Sequence, residues 1–106
     1  MTTLGEFEVL ILLAVLQLED AAYPPAVRAE IEHRTRRQVA RGAVYVTLDR
    51  LEAKRLLLSQ TVDADTSSGR RRRRYKISPK GLRAVRRALS AVERMRSGLE
   101  PLLDES

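Results

Sequence analysis

The sequence predicts a mainly α-helical chain with one small two-stranded β hairpin, in the order α-α-α-β-β-α. Three observations carry this. Four segments consist of strong helix formers or repeat apolar residues at three- and four-residue spacing. Strand-like alternation is confined to residues 56–77, on either side of a turn-forming stretch. Pro24-Pro25, Gly42 and Ser78-Pro79 punctuate the chain where helices would begin.

Residues 4–18, LGEFEVLILLAVLQL, have almost no polar face after Glu8. A helix that is apolar all round must be covered on all sides. A chain of 106 residues has little material to enclose one helix, so a second copy of the chain is expected to cover part of it. Pro24 and Pro25 suit a first turn, and a second helix is expected from there to about Arg36. Val27 and Ile31 face inward in this reading, and Arg28, Glu30, Glu32 and Arg34 face water. The third helix, AVYVTLDRLEAKRL, follows Gly42. Its core stripe is Val44, Leu48 and Leu51, and a second stripe carries Ala43, Val46, Thr47, Arg50 and Lys54.

Leu56 to Asp63 read as a strand, DADTSSG as a turn, and Arg70 to Ile77 as the returning strand. Alternation puts Arg71, Arg73, Tyr75 and Ile77 on one side, and Arg70, Arg72, Arg74 and Lys76 on the other. Ser78 is an N-cap before Pro79. The last helix repeats Leu82, Val85, Leu89, Val92, Met95 and Leu99, and Pro101 sets its end near residue 100. An amphipathic helix after a complete small unit finds no further partner inside its own chain. Phe7, Leu10, Ile11 and Ala14 of the first helix, with Leu89, Val92, Met95 and Leu99 of the last, are therefore the expected homodimer interface.

Composition narrows the chemistry. The chain has no cysteine, which excludes disulfides, thiolate metal sites and cysteine nucleophiles and fits a cytoplasmic protein. No signal peptide is read at the N-terminus, and the apolar run Val9 to Leu16 is too short to span a membrane. His33 is the only histidine and has no candidate zinc partner. The five glycines are isolated, so no phosphate-binding glycine loop exists. Neither catalysis nor a metal or other cofactor is expected.

Charge is unevenly distributed. Residues 1–53 carry six Arg/Lys against eight Asp/Glu, whereas residues 54–106 carry fourteen against six, within a formal net charge of +6. A basic half suggests a polyanionic partner. Three helices followed by a hairpin is the winged helix-turn-helix pattern, in which the second helix of the motif enters the major groove of double-stranded DNA. The helix after Gly42 takes that place, and the hairpin is the wing. The expected DNA-binding residues are Gly42, Ala43, Tyr45, Val46, Thr47, Arg50 and Lys54, with Arg70, Arg71, Arg72, Arg73 and Arg74 of the wing. Along one strand face such arginines recur at roughly 6.6 Å, the order of the phosphate spacing. The nearest carboxylates in sequence are Asp63 and Asp65, too few to neutralise the run. Residues 1–78 would form the DNA-binding unit, and residues 79–106 a dimerisation helix with a short tail. A solvated charge cluster, a non-specific nucleic-acid binder and a protein-docking winged helix all remain open at this level.

Four stretches resemble the PadR-like family of winged-helix regulators: LGEFEVLILLAVLQLED, AAYPPAVRAEIEHRT, RGAVYVTLDRLEAKRLL and SSGRRRRRYKISPKGLRAV. They span residues 4 to about 85. The resemblance implies a dimer joined by its first and last helices that binds an inverted repeat in a promoter, represses it, and in many members releases it when a small molecule binds. Repression is implied by the resemblance alone. By position the family's DNA-facing residues fall on Gly42, Tyr45, Thr47 and Arg50, and on Arg71 to Arg73. Four positions depart from the family pattern. Ala40 stands where a capping serine is common, Val46 where proline is common, Pro24 where glycine follows Tyr23, and Arg55 in a glycine turn, where it must adopt a positive φ. The chain has no tryptophan, so the aromatic drug site of one group of relatives is not expected. An effector pocket between the paired helices would be lined by Leu10, Ala14, Val92 and Met95, for which dimer core is the simpler reading.

Overall fold

A computed structural model describes residues 3–63 and 71–104. The turn expected at 63–69 falls almost entirely outside the described residues, as does Arg70. The helix α1 (Glu6–Leu18) opens with a partial capping box: Glu8 accepts a hydrogen bond from the Gly5 N–H at 2.9 Å. Its Ile11, Leu12, Ala14 and Val15 are buried at the centre of the core, with Phe7, Leu10 and Leu13 packed against it. This corrects two of the expected interface residues. Ile11 and Ala14 are 0% and 4% exposed, enclosed by their own chain, and only Phe7 and Leu10 of the α1 set keep accessible surface.

A short 3-10 turn (Glu19–Ala21) leads to α2 (Pro24–Thr35), whose two prolines occupy the first turn. The helix stops at Arg36, which takes the left-handed conformation at φ 58°. Val27 and Ile31 are buried, as their spacing predicts. Arg28 and Glu32 do not simply face water. The Arg28 Nε donates to the Val39 carbonyl at 2.8 Å, and Glu32 accepts from the Val39 N–H at 2.9 Å. Between them they pin the 36–40 connection and place Val39 in the core. Glu30 is half-buried and accepts from Arg34.

The next helix, α3 (Arg41–Ala53), begins at Ala40 without a side-chain cap. Val44, Leu48 and Leu51 are buried. Thr47 joins them at 5% exposure and is therefore a core-flank residue, not part of the outward stripe. At 100° per residue, Thr47 lies between Val44 and Leu51 on one side and Ala43 and Arg50 on the other. Packing, which spacing cannot reveal, decides to which face it goes.

Strands β1 (Leu57–Asp63) and β2 (Arg71–Ile77) pair antiparallel with Leu57 opposite Ile77 and Asp63 opposite Arg71. Tyr75 points into the core, and its N–H donates to the Ala22 carbonyl at 2.9 Å, so the hairpin leans on the segment after α1. The joint between α3, β1 and the last helix is compact. Arg55 sits at φ 62°, as the turn requires. Ser78 donates through Oγ to the Arg55 carbonyl at 2.7 Å and accepts from the Gly81 N–H at 2.9 Å. A Cβ on Gly81 would lie 2.1 Å from the Leu56 carbonyl oxygen, so only glycine fits this approach.

The last long helix, α4 (Pro79–Arg96), buries Gly81, Ala84 and Val85 in its first two turns. From Leu89 onward its apolar side chains are exposed, reaching 64% at Val92 and 79% at Met95. The helix ends at Arg96, short of the expected boundary, because Gly98 turns the chain at φ 90°. Pro101 then lies in the first turn of a short helix, α5 (Glu100–Leu103), and starts it where it was expected to mark an end.

Candidate nucleic-acid interface

The outward side of α3 is shallow and carries few large groups. Gly42, Ala43, Tyr45, Val46, Asp49, Arg50 and Ala53 are exposed along it. Gly42 has open space where a Cβ would be, so nothing inside the chain requires its bareness. What a missing side chain permits here is close approach of another surface to the backbone. The Arg41 guanidinium stands 5.5 Å from the Tyr45 ring centroid, holding a cation at the start of the helix.

The opposite end of α3 is more occupied than its sequence suggests. Lys54 is half-buried, and its Nζ donates to Glu8 of α1 at 3.1 Å. Burial pushes the Glu8 carboxyl up, but the Gly5 N–H, Lys54 and Arg50 together outweigh burial and hold it below its ordinary value. Lys54, expected to meet phosphate, is thus already partnered inside the chain. Arg50 remains exposed, with Glu8 as its nearby countercharge.

The wing arginines were expected to lack local partners. The fold supplies partners to three of them. The Arg72 guanidinium lies 4.2 Å over the Tyr23 ring. Arg73 faces α3, with Asp49 at 3.9 Å and Glu52 at 3.7 Å. Arg74 donates to Gln60 across the hairpin at 2.9 Å. The Glu52 carboxylate in turn accepts from Ser59 Oγ on β1. Hence the wing is tied to the 22–23 segment on one edge and to α3 on the other. The Arg73 pairs are longer than hydrogen bonds and solvent-exposed, a class worth about 0–1 kcal/mol. A phosphate can take over such a guanidinium at small cost.

Tyr75 lies under this network. Burial raises its phenol above the ordinary value, with the Arg73 guanidinium beside it acting the other way. Of the expected DNA-binding set, the structure brings Gly42, Ala43, Tyr45, Val46 and Arg50 to the outward side of α3 with Arg73 beside it, while Arg72 lies over Tyr23 on the other side of the hairpin. Thr47 is withdrawn into the core and Lys54 is engaged. Only backbone is described for Arg71. Asp49, Glu52 and Arg41 were missed. Their signal was available for Asp49, which sits seven residues after Gly42 and three after Val46 on the same helix face.

An α2–α3 pair joined by a short connection, with α3 bare on its outer side and a basic hairpin beside it, defines a winged helix-turn-helix protein. The chain belongs to the PadR-like family: the family model described as Transcriptional regulator PadR-like family matches residues 12–87. No curated protein matches the chain in sequence. Among solved structures it is similar to a PadR family transcriptional regulator from Eggerthella lenta DSM 2243, at 25% identity and TM-score 0.70, covering 95% of this chain and 88% of that one. It is also similar to a PadR-like transcriptional regulator from Bacillus cereus strain ATCC 14579, at 22% identity and TM-score 0.73, with coverage of 94% and 93%. A PadR family transcription regulator from Clostridium difficile R20291 superposes with TM-score 0.70 at 24% identity, covering 93% and 99%. These are transcriptional regulators, and PadR-like regulators bind DNA. Among the described residues no helix is long and apolar enough to cross a membrane.

Proposed function

We propose that this PadR-like protein is a cytoplasmic, homodimeric transcriptional repressor that binds an inverted repeat. The observation that carries the dimer is α4, whose Leu89, Val92 and Met95 stand in solvent in the single chain, as does Leu99 just beyond its end. Full burial of a large apolar side chain contributes about 1.5–3 kcal/mol, and each of these would add the share that its exposed part represents. Phe7 and Leu10 of α1, each half-buried, extend the same reading. The arm that starts at residue 79 would then serve two ends, with its first turns packed on the DNA-binding unit and the remainder on the second copy. Two copies related by a two-fold axis present two α3 helices to successive major grooves, which suits half-sites about one helical turn apart. Repression follows if that repeat overlaps a promoter. Release by a small molecule bound between the paired α1 and α4 helices completes the proposal.

Sedimentation and gel retardation test it together. A dimer at micromolar concentration is expected, retarding its own promoter in the presence of unrelated competitor DNA. An Arg72→Ala chain should lose affinity for all sequences alike, and its salt slope should fall by about one. A well-folded monomer would refute the dimer. Equal affinity for both DNAs would leave a non-specific binder, and no loss in Arg72→Ala would favour a docking module.

A further inference from the structure

The outward line of α3 runs Gly42, Val46, Asp49, Ala53, opposite the buried stripe of Val44, Leu48 and Leu51. A carboxylate stands in the middle of the face that would meet a polyanion. Its side chain is 67% exposed. In a chain of net charge +6, an acidic group there costs affinity for every DNA unless it earns some of it back on particular sequences. Its partner Arg73 does not account for it. Glu52 is nearer to Arg73, is itself held by Ser59, and ties the wing without Asp49.

We infer that Asp49 is a specificity-determining residue that reads the N4 amino group of cytosine in the major groove. This rests on the reading of α3 as the recognition helix. Four facts support it. A carboxylate is an acceptor only. Cytosine presents a donor in the major groove, whereas guanine presents acceptors, thymine an acceptor and a methyl, and adenine an acceptor beside its amino group. The aspartate side chain is short, and its neighbours on the line, Gly42, Val46 and Ala53, are small enough to let the helix backbone come close. The Arg73 pair at 3.9 Å is loose enough to exchange. On a cognate site Asp49 turns to the base and Arg73 is freed for the backbone. On a site that presents an acceptor, Asp49 is repelled and keeps Arg73.

Selection of bound sequences from randomised duplex DNA tests the assignment, using the full chain as wild type, Asp49→Ala, Asp49→Asn and Arg73→Ala. The expected wild-type sites share a cytosine at one fixed position in each half-site. Asp49→Ala should lose that preference, with discrimination falling roughly 5- to 150-fold, the size of one good base contact. Asp49→Asn should move it to adenine, whose N6 and N7 an amide pairs with. Arg73→Ala should bind all sites more weakly and keep the cytosine. If Asp49→Ala keeps the cytosine as strongly as wild type, the inference is wrong. If Arg73→Ala loses it equally, Asp49 is only an anchor for the wing, and the inference is again wrong. A wild type that enriches no sequence instead brings down the recognition-helix reading itself, and this inference with it.

Discussion

The two helices α1 and α4 read as one class in sequence, apolar elements in search of a cover, yet the fold treats them differently. The α1 helix is enclosed by its own chain, with Ile11, Leu12, Ala14 and Val15 buried and only its flanks half-open. The α4 helix is enclosed for two turns and then bare from Leu89. An all-apolar helix is the demand a core makes, and α2, α3, the hairpin and the start of α4 meet it between them. A one-sided apolar stripe running past the end of the core is the demand an interface makes. In the proposed dimer, fold and assembly are thus divided within α4, near residue 86, and not between elements.

The largest effect should come from breaking the bare half alone. Met95→Asp would place a charge from each copy in an apolar interface. The expected result is a monomer by sedimentation, with helical circular dichroism kept, and promoter affinity roughly 100-fold lower because the two half-sites no longer bind as one. If Met95→Asp remains a dimer, α4 is not the interface. The packed half should respond in the opposite way. Gly81→Ala forces a Cβ to within 2.1 Å of the Leu56 carbonyl oxygen and 2.9 Å of the Ile77 side chain. Urea unfolding should show a loss of about 3 kcal/mol, the upper range for overpacking. A loss under 1 kcal/mol would mean that α4 can shift without cost, and the division within it would disappear.

Much of this was legible in the chain. Val44, Leu48 and Leu51 and the Ser78 cap follow from local rules of spacing and turn chemistry, which hold wherever a residue's neighbours in space are its neighbours in sequence, whereas the positive φ of Arg55 is implied by the family resemblance alone. The site was less legible because its partners are remote. Arg73 meets Asp49 across 24 positions, and Lys54 meets Glu8 across 46. Counting carboxylates near the arginine run could not find either. Thr47 failed for another reason. It lies at the border of two stripes, and a small polar side chain fits either. Asp49 was overlooked because only neutral and cationic residues were credited to a DNA-facing surface.

A smaller effect probes how α1 is tied to α3. The Glu8 carboxyl ionises below its ordinary value of 4.5 in the folded chain. Its stabilisation is therefore complete above that value and is lost as pH falls through the folded one. Glu8→Gln keeps an acceptor for the Gly5 N–H and removes the charge, so it should lose about 1 kcal/mol at pH 7, the upper range for such an ion pair. The gap to wild type, measured by urea unfolding, should close as the pH is lowered below 4.5. A gap that stays constant into acid would show that the Glu8 charge, with its Lys54 and Gly5 partners, contributes nothing to holding α1 on α3.

The smallest effect is a gain, at the joint where the packed part of α4 meets the end of α3. Arg55 is exposed and sits at φ 62°, where an L side chain crowds the backbone, and Ser78 fixes its carbonyl in place. Arg55→Gly relieves about 1–2 kcal/mol of left-handed strain. It also frees the unfolded chain, which takes back about 0.4–1 kcal/mol. The net expectation is about 0.5–1 kcal/mol of added stability by urea unfolding, with the oligomeric state unchanged because α4 beyond Leu89 is untouched. A destabilised Arg55→Gly would mean that the arginine side chain itself holds the joint. The backbone turn would then be only part of what separates the packed half of α4 from the bare one.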